Sequence, residues 1–238
     1  MAGSIFTAIS EKWSIFLDLD NTILDFTMAQ RCALSRTLSE RGIEPTEDVL
    51  QRYDELNIYC WEQLEDGAMT RDEVLRRRFE MLFEELGLSL SGQEATERYE
   101  GLLHFGHWFI PGAEELLKTL APVHDLYLAS NGVASVQHSR IASAGIEPYF
   151  KGIFISEELG AVKPQREFFE ACFARIPGFD PARALMVGDS LTSDIRGGIN
   201  AGIRTCWFNP KGKPGRAGIV PDYEIRSLSE LPALIERL

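Results

Sequence analysis

Residues 13–22 read WSIFLDLDNT, a short apolar run that ends in two aspartates. A continuous run of bulky apolar residues is typical of a strand buried on both faces of a parallel sheet. Four later stretches repeat this form, and helical patterns separate them. They are residues 126–131 (LYLASN), 152–156 (GIFIS), 184–189 (ALMVGD) and 204–209 (RTCWFN). The alternation predicts an α/β fold in which helices cover both faces of a parallel sheet.

The helical patterns between the later strands have bounds that a structure can test. Apolar residues recur at helical spacing over residues 133–144, 164–175 and 193–201. Residues 209–221 are rich in Gly and Pro and predict a loop. The residues after that loop predict a final strand and a final helix.

A helical segment interrupts this alternation directly after the first strand. Residues 26–107 show helical periodicity without a convincing strand, and Thr70 with Glu73 forms one of the helix-starting signals, a capping box. Four consecutive helices are predicted there, and they bury their apolar faces against one another as a small bundle. The expected bounds are residues 1–25 and 109–238 for an α/β core domain and residues 26–108 for an inserted all-α domain.

The composition is that of an ordinary globular protein with an acidic surface. Among 238 residues, 24 Lys and Arg stand against 36 Asp and Glu, a formal net charge of −12. Such a surface repels nucleic acid and anionic membranes, so neither is an expected partner. The sequence has no apolar run near the ~18 residues of a membrane span and no secretory signal before Trp13. The four cysteines form no CxxC pair, which favours reduced thiols in a cytoplasmic protein.

Polar and charged residues stand where the predicted strands end. In an open parallel sheet the carboxyl ends of the strands lie at one edge, where ligands bind. Clustered carboxylates repel one another unless a cation lies among them, and hard oxygen ligands select Mg²⁺. Lysine, hydroxyl and backbone N–H groups bind anion oxygens, so the two sets together suit phosphoryl transfer. The residues concerned are Asp18, Asp20, Ser130, Asn131, Gly132, Lys163, Asp189 and Asp194.

Four motifs follow one another at these strand ends. They are DLDNT at 18–22, SN at 130–131, KP at 163–164 and GDSLTSD at 188–194. In order and spacing they resemble the four motifs of the haloacid dehalogenase-like (HAD) phosphatase superfamily, and the helical insert lies where that superfamily has its C1 cap. The resemblance covers nearly the whole chain and implies a Rossmann-like core with an inserted all-α cap domain.

The resemblance implies a role for each aspartate of the first motif. Asp18 would be the nucleophile that attacks phosphorus and becomes an aspartyl-phosphate. Asp20 would be the general acid that protonates the leaving alkoxide and then the base that activates water. Haloacid dehalogenases lack an acid at that position, since halide leaves unprotonated, so Asp20 favours cleavage of a C–O–P linkage over a C–halogen bond.

The resemblance also implies a metal site and a phosphate site. The ligands implied for Mg²⁺ are Asp18, Asp189 and the backbone carbonyl of Asp20, with support from Asp194. The residues implied for the phosphoryl oxygens are Ser130, Asn131, Gly132 and Lys163. A carboxylate attacks a dianionic phosphate only if its charge is neutralised, and Lys163 would share that task with the metal.

A narrower resemblance concerns the substrate. Parts of the insert and of the core resemble the bacterial 5′-nucleotidase branch, which prefers pyrimidine nucleoside monophosphates. These parts are Asn57, Trp61, Gly67, Thr70, Arg78 and Phe79, with ISEELGAVKP at 155–164 and NAGIRTCWFN at 200–209. The resemblance implies that the partner is a small-molecule phosphate monoester, here a nucleotide. The expected enzyme is a monomer or a homodimer.

Three other functions are compatible with the same four motifs. A sugar phosphate or phosphoglycolate phosphatase has all four of them. A phosphomutase would also keep Asp18 and Asp20, but it would release no free phosphate and would need a bisphosphate primer. A catalytically inactive phosphate-binding module is the third alternative, although the complete carboxylate set argues against it.

Two groups of residues in the insert have a structural interpretation. The arginines at 76–78 point in different directions around a helix, so we expect most of them to pair with nearby glutamates on a solvated face. The glutamates concerned are Glu73, Glu80 and Glu84. Aromatic residues are expected mainly in the core of the bundle. They are Tyr53, Tyr59, Trp61 and Phe105.

Overall fold

The computed structural model describes residues 12–238. The strands among these residues are β1 (Ser14–Leu17), β2 (Asp125–Ser130), β3 (Gly152–Ile155), β4 (Ala184–Gly188), β5 (Arg204–Phe208) and β6 (Tyr223–Ile225). They form one parallel sheet in the order β3-β2-β1-β4-β5-β6, which confirms the predicted Rossmann-like α/β fold. Residues 1–11, which open the expected core domain and for which no secretory signal is expected, lie outside the described residues.

The strand order brings β1 to the centre of the sheet. It pairs with β2 on one side and with β4 on the other, and Leu17 lies opposite both Leu128 and Val187. The chain therefore proceeds from β1 to one edge and later from β4 to the other edge. In open α/β sheets the loops diverge at such a reversal and leave a crevice in which ligands bind. The residues that follow β1, β2 and β4 are consequently neighbours in space.

Helices occupy the predicted regions, with differences in their bounds. They are α1 (Phe26–Ser39), α2 (Glu47–Glu65), α3 (Arg71–Glu85), α4 (Gly92–Leu103), α5 (Ala113–Leu120), α6 (Ala134–Ala144), α7 (Ser156–Leu159), α8 (Arg166–Phe173), α9 (Arg196–Ala201) and α10 (Leu231–Ile235). The final predicted helix is reduced to a 3₁₀ turn over Leu228–Glu230 followed by α10.

Two predicted helix bounds in the core are wrong, and both lie beside the candidate site. The predicted helix over residues 164–175 is shorter, because the side-chain amide of Asn131 binds both the backbone N–H and the carbonyl of Lys163 and keeps that backbone outside a helix. The predicted helix over residues 193–201 begins earlier, with a π-helical turn over Leu191–Ile195. Such turns are frequent at functional sites.

Both faces of the sheet are covered, as the apolar strands predict. Ile15 and Leu17 belong to the hydrophobic cluster on one face, whereas Phe16 packs in the cluster on the other face with Phe168 and Phe169 of α8. Successive strand residues point to opposite faces of the sheet. When both faces are covered, every residue of the strand is buried and apolar residues are favoured throughout. The buried apolar run therefore ends at Leu17, and Asp18, the next residue, lies at the edge of the sheet.

The inserted helices α1–α4 have a hydrophobic cluster of their own. Tyr53 and Phe79 are fully buried in it, and their ring centroids lie 4.9 Å apart. The capping box predicted at Thr70 and Glu73 is confirmed at the start of α3. Val136 of α6 also belongs to this cluster, so the insert packs directly on a core helix. The division into core and cap domains near residues 26 and 109 stays a prediction.

Two segments connect the sheet with the insert, and they are paired with each other. The backbone N–H of Asp25, on the outgoing segment, donates to the carbonyl of Trp108 at 2.7 Å. The N–H of Ile110, on the returning segment, donates to the carbonyl of Ile23 at 2.9 Å. An antiparallel bridge between Leu24 and residue 109 lies between these bonds. We call this pair of segments the connecting ladder.

The structure corrects part of the prediction for the insert. Arg76 and Arg77 do pair with Glu80, but Arg78 is buried, and its guanidinium lies 4.9 Å from the ring centre of Tyr99. A solvated face for Arg78 is therefore wrong, because the helix turns that side chain into an aromatic interior. Of the aromatic residues expected mainly in the core of the bundle, Tyr53 is buried there, whereas Tyr59 and Phe105 are exposed.

No helix within residues 12–238 has the length and apolar character needed to cross a membrane. The four cysteines all lie within the described residues and form no disulfide. Three of them are buried, and Cys32 is exposed.

Candidate active site

Asp18 follows β1 directly and is buried at the carboxyl edge of the sheet. Its backbone N–H donates to the carbonyl of Val187 at 3.0 Å, which continues the sheet hydrogen bonding by one residue and fixes the Cα position. The hydroxyl of Thr22 donates to Oδ2 at 3.2 Å, and the ammonium of Lys163 donates to Oδ1 at 2.8 Å. Both carboxylate oxygens are thus held in place by side chains of the predicted motifs.

Lys163 is a buried cation whose three N–H donors all have partners. Its Nζ lies 2.8 Å from Asp18 Oδ1, 2.6 Å from Asp194 Oδ1 and 2.7 Å from the carbonyl of Ala129. Burial alone disfavours the charged form, but Asp18 and Asp194 outweigh it and raise the pKa of Lys163. The side chain is therefore a fixed positive charge and not a mobile surface lysine.

Three carboxylates converge beside this cation. Oxygens of Asp18, Asp189 and Asp194 all lie within 4.8 Å of one another, although the sequence separates them widely. Burial and the charge of Asp194 raise the pKa of Asp189 to about 7. The pKa of Asp18 is raised well above its ordinary value by burial, against the pull of Lys163 and with the help of the other carboxylates.

This donor set fits a hard divalent cation. Lys163 balances one of the three carboxylate charges, which leaves two negative charges in a buried space. Burial is the main cause of the raised pKa values of Asp18 and Asp189, and the neighbouring carboxylates add to it. Carboxylate oxygens at this spacing are the ligand type that Mg²⁺ prefers, whereas the soft ligands of zinc or copper sites do not belong to the cluster.

The residues after β2 form a tight turn next to Asp18. The hydroxyl of Ser130 accepts from the backbone N–H of Gly132 at 3.1 Å and from the side chain of Gln137 at 2.8 Å. A Cβ on Gly132 would lie 2.2 Å from the Gln137 amide nitrogen, so a side chain there would displace Gln137 from Ser130. The Asn131 amide binds the Lys163 backbone at 2.8 and 2.9 Å, which joins this turn to the lysine segment.

Asp20 lies two residues beyond Asp18 and is held from α6. Gln137 donates to Asp20 Oδ2 at 2.6 Å, and the guanidinium of Arg140 donates to Oδ1. The side chain of Arg140 has no exposed surface, whereas a quarter of the Asp20 side chain is exposed. Sequence reasoning missed both α6 residues. Their spacing of three on a helix is the available signal, but it is equally typical of a solvated face.

A cavity of about 270 Å³ lies between this edge of the sheet and the insert. Its floor is polar and contains all the predicted site residues. Its roof belongs to the insert and is mainly apolar, with a few polar groups. The roof residues include Phe26, Asn57, Ile58, Trp61, Leu75, Arg78, Glu100 and Leu103.

Three residues of the roof, Asn57, Trp61 and Arg78, are joined in one hydrogen-bond network. The side-chain oxygen of Asn57 accepts from the indole N–H of Trp61 at 3.1 Å and from Arg78 at 2.9 Å. The Asn57 amide nitrogen in turn donates to Gln30 of α1 at 3.1 Å. The network fixes the Trp61 ring at the cavity wall.

A few side chains join the insert to the floor. Arg71 of α3 donates to the carbonyls of Asn131 and Gly132 at 2.7 and 3.2 Å and to the hydroxyl of Ser156. Burial lowers the pKa of Arg71. At the opposite rim, Arg216 donates to Glu62 of α2 at 2.6 Å across the solvent-exposed surface. No pattern in the sequence predicts either contact.

Glu65, the last residue of α2, is a further titratable group at the cavity wall. Burial raises its pKa from the ordinary 4.5 to about 7, against a hydrogen bond from Thr192. Its Oε2 has no hydrogen-bond partner within residues 12–238. The side chain comes from the insert and faces the π-helical turn of the core.

Comparison with known proteins agrees with this arrangement. Residues 14–202 match the profile of the haloacid dehalogenase-like hydrolase family. The HAD-hydrolase YfnB of Bacillus subtilis is 43% identical over 218 residues, which cover 92% of this chain and 93% of YfnB. The pyrimidine 5′-nucleotidase PynA of Streptococcus pneumoniae is 38% identical and covers 91% of this chain and 92% of its own.

Two further matches extend the comparison. The pyrimidine 5′-nucleotidase YjjG of Escherichia coli is 32% identical and covers 94% of this chain and 98% of its own. The crystal structure of YfnB bound to magnesium superimposes with a TM-score of 0.90 at 41% identity, over 94% of this chain and 99% of that chain. That structure is described as revealing interdomain movement. With matches of this extent in sequence and in fold, the chain belongs to the haloacid dehalogenase-like hydrolase family.

Proposed function

We propose that the protein is a magnesium-dependent phosphomonoesterase that acts through an aspartyl-phosphate and hydrolyses nucleoside 5′-monophosphates. One observation carries the proposal. A buried aspartate at the floor of the cavity, Asp18, shares a lysine with a second aspartate and lies beside a third. A purely structural role does not explain two buried carboxylates on one lysine with a third, half-buried carboxylate beside them, because apolar residues would pack there at lower energetic cost.

Asp18, Asp189 and the backbone carbonyl of Asp20 would hold Mg²⁺, and Asp194 would support it. When bound, the ion supplies positive charge that offsets the phosphate and the nucleophile. Asp194 is suited to a supporting role because its Oδ1 already accepts from Lys163 and its Oδ2 accepts from the backbone N–H of Ser190 at 3.1 Å. The YfnB structure bound to magnesium supports the choice of ion.

In the first step, an Asp18 oxygen forms a bond to phosphorus while the bond from phosphorus to the leaving oxygen breaks. Asp20 delivers its proton to that oxygen, so that an alcohol departs. In the second step, Asp20 takes a proton from water, and the water oxygen forms a bond to phosphorus as the bond from Asp18 to phosphorus breaks. The products are free phosphate and the regenerated Asp18 carboxylate.

The phosphoryl oxygens would be held by the Ser130 hydroxyl, by Lys163 and by backbone N–H groups at Asn131 and Gly132. Lys163 and the Gly132 N–H already donate to Asp18 and to Ser130, so each would turn a donor from that partner to the phosphoryl group. The side chain of Asn131 has a different task, since its amide is fully engaged with the Lys163 backbone and with Ser193. Fixed donors around developing charge typically contribute about 10²–10³ in rate for each donor.

The roof supports a nucleoside as the leaving group. It offers an aromatic ring at Trp61 and apolar side chains around it, a surface on which a planar base can stack. The names of PynA and YjjG support pyrimidine nucleotides in particular. With a net charge of −12, free nucleotides and not nucleic acid are the proposed substrates. We propose that the enzyme works in the cytoplasm as a monomer or homodimer.

The decisive experiment measures phosphate release from nucleoside, sugar and glycolate monophosphates, with and without Mg²⁺. We expect the highest turnover on a nucleoside 5′-monophosphate, dependence on Mg²⁺ and loss of essentially all activity in Asp18→Asn. Asp48→Asn, at an exposed position of α2, is the matched control and should behave as wild type.

Each alternative activity has its own outcome in this experiment. Highest turnover on a sugar phosphate or on phosphoglycolate would replace the proposed substrate. Transfer without phosphate release, dependent on a bisphosphate primer, would indicate a phosphomutase. Binding of phosphate without turnover of any monoester would indicate an inactive binding module. Full activity of Asp18→Asn would overturn the nucleophile assignment.

A further inference from the structure

Arg140 is an arginine of the core helix α6 that lies completely buried beside the candidate acid. Its side chain has no exposed surface, and its Nη1 donates to Asp20 Oδ1 and to Gln137 Oε1, the latter at 3.0 Å. A buried guanidinium is unfavourable unless charged or polar partners surround it. An apolar residue would fill this position at lower energetic cost, so the partners of Arg140 indicate what it does.

The same guanidinium also reaches both segments that lead to the insert. Its Nε donates to the carbonyl of Gly106, on the returning side, at 2.7 Å. Its central carbon lies 5.4 Å from the ring centre of Phe26, the first residue of α1 on the outgoing side. Both residues lie directly beside the connecting ladder. One side chain of the core therefore touches Asp20 and both ends of the insert.

Gln137 completes the arrangement one helical turn earlier. It donates to Asp20 Oδ2 at 2.6 Å and to the hydroxyl of Ser130 at 2.8 Å. Asp20 thus has one α6 donor on each oxygen, which fixes the plane of the carboxylate. Each carboxylate oxygen can accept about two hydrogen bonds, so one site on each remains for a proton.

We propose that Arg140 is a positioning residue that sets the orientation of the Asp20 carboxylate and makes it depend on the place of the insert. The inference rests on the proposed function, in which Asp20 transfers the proton. Transfer requires the carboxylate to lie within hydrogen-bond reach of the leaving oxygen, about 2.6–3.2 Å. A displacement of the Gly106 carbonyl or the Phe26 ring changes the partners of Arg140, and the Asp20 carboxylate turns with it.

The test compares leaving groups that do and do not need a proton. A nucleoside leaves as an alkoxide that must be protonated, whereas p-nitrophenolate is stable enough to leave unprotonated. In a single turnover, Arg140→Met is expected to slow nucleoside release about 10²-fold, the size of effect that a misplaced catalytic group produces. Release of p-nitrophenol in the same turnover should change by less than about threefold, since Asp20 acts there only in the second step.

Three further variants separate positioning from a structural role. Arg140→Lys keeps the charge but cannot reach all partners, so it should recover only part of the nucleoside rate. Gln137→Leu should show the same leaving-group dependence to a smaller degree, and it keeps the test valid if Arg140→Met does not fold. Arg41→Met is the control, because Arg41 also joins two elements through the carbonyls of Thr37 and Glu94 but lies wholly within the insert.

The outcomes distinguish this inference from the proposed function. Equal loss on both substrates in folded Arg140 and Gln137 variants would overturn the positioning role and leave the phosphatase proposal intact. Thermal unfolding of each variant establishes that it is folded. Failure of the wild-type protein to release either alcohol would instead overturn the proposed function itself.

Discussion

The two sides of the cavity are built in different ways. On the floor, Asp18 and Asp189 follow strand ends directly, and the Lys163 ammonium has a protein partner for each of its three N–H groups. On the roof, the side chains come from amphipathic helices, and polar groups such as Asn57 and Arg78 bind chiefly to one another. The floor is fixed by the hydrogen bonding of the sheet, whereas the roof is placed over it by a few contacts such as those of Arg71.

This difference suggests how the two sides divide the work. A group fixed by strand register cannot move without disturbing the sheet, which suits chemistry that depends on distances of a few tenths of an ångström. A surface of helix side chains tolerates substitution, which suits discrimination between leaving groups. Changes on the floor should therefore alter the rate for every monoester, and changes on the roof should alter the ranking of substrates.

The largest effect is expected from Lys163→Met on the floor. Loss of the ammonium removes a donor to the phosphoryl group and leaves Asp18 and Asp194 without their shared cation, so kcat should fall about 10²–10³-fold on all monoesters. Steady-state phosphate release with saturating Mg²⁺ measures the loss. Lys118→Met, at an exposed position of α5, serves as the control. A wild-type kcat in the Lys163 variant would contradict the claim that the floor sets the rate for every monoester.

A selective effect is expected from Trp61→Ala on the roof. Loss of a stacking surface should lower kcat/KM for a nucleoside 5′-monophosphate about tenfold. The value for glycerol phosphate, which has no base, should stay within about twofold of wild type. Tyr59→Ala, on the same helix but exposed, should change neither. Equal losses on both substrates would mean that the roof does not select the base.

A smaller effect is expected from Arg71→Met, between the two sides. Its contacts with the carbonyls of Asn131 and Gly132 hold the insert over the floor, so their loss lowers the fraction of molecules ready to bind. KM should rise about fivefold with kcat nearly unchanged. Arg98→Met removes an arginine whose partner, Glu40, lies within the insert, and its KM should not change. A fall in kcat alone would assign Arg71 to the floor.

The last prediction concerns how protonation of Glu65 makes the stability of the folded protein depend on pH. Its pKa is about 7 in the folded protein against an ordinary 4.5, so the folded state binds this proton more tightly than the unfolded chain. The resulting stability is complete below about pH 4.5 and is lost as the pH rises to 7 and above. Glu65→Gln cannot lose a proton, so at pH 8 it should be more stable than wild type by up to about 3 kcal/mol.

Urea unfolding at pH 5, 6, 7 and 8 measures this difference, which should be small at pH 5 and grow with pH. Glu44→Gln, at an exposed position, is the control and should show no such trend. A constant difference across the range would mean that folding does not raise the pKa of Glu65.

The sheet and its floor could be predicted because burial leaves a direct mark on the sequence. A strand covered on both faces, such as β1, reads as an unbroken apolar run, and the first polar residue after it marks the edge. Parallel pairing then brings Asp18 and Asp189 together although they lie far apart in the chain. The start of α8 and the start of the turn before α9 are harder to predict from sequence. Side-chain hydrogen bonds to Asn131 and Ser190 determine them.

The residues that were missed or misjudged share one cause. Arg140, Gln137 and Arg78 are polar residues on helices, where sequence spacing alone favours a solvated face. Whether such a face turns inward is decided by how α6 packs on the sheet and how α3 packs in the bundle. Glu65 likewise depends on where the end of α2 meets the core. These contacts arise between elements, so no local pattern encodes them.

The connecting ladder has a consequence for how such a protein can change. Because Asp25 is hydrogen-bonded to Trp108, the points where the chain leaves and re-enters the sheet lie side by side. A different helical cassette, or a short turn, could be spliced between them without moving a strand, as domain insertions succeed where chain ends lie close together. The ladder is thus a natural graft point, through which one catalytic scaffold can acquire new specificities by exchanging a single contiguous piece of sequence.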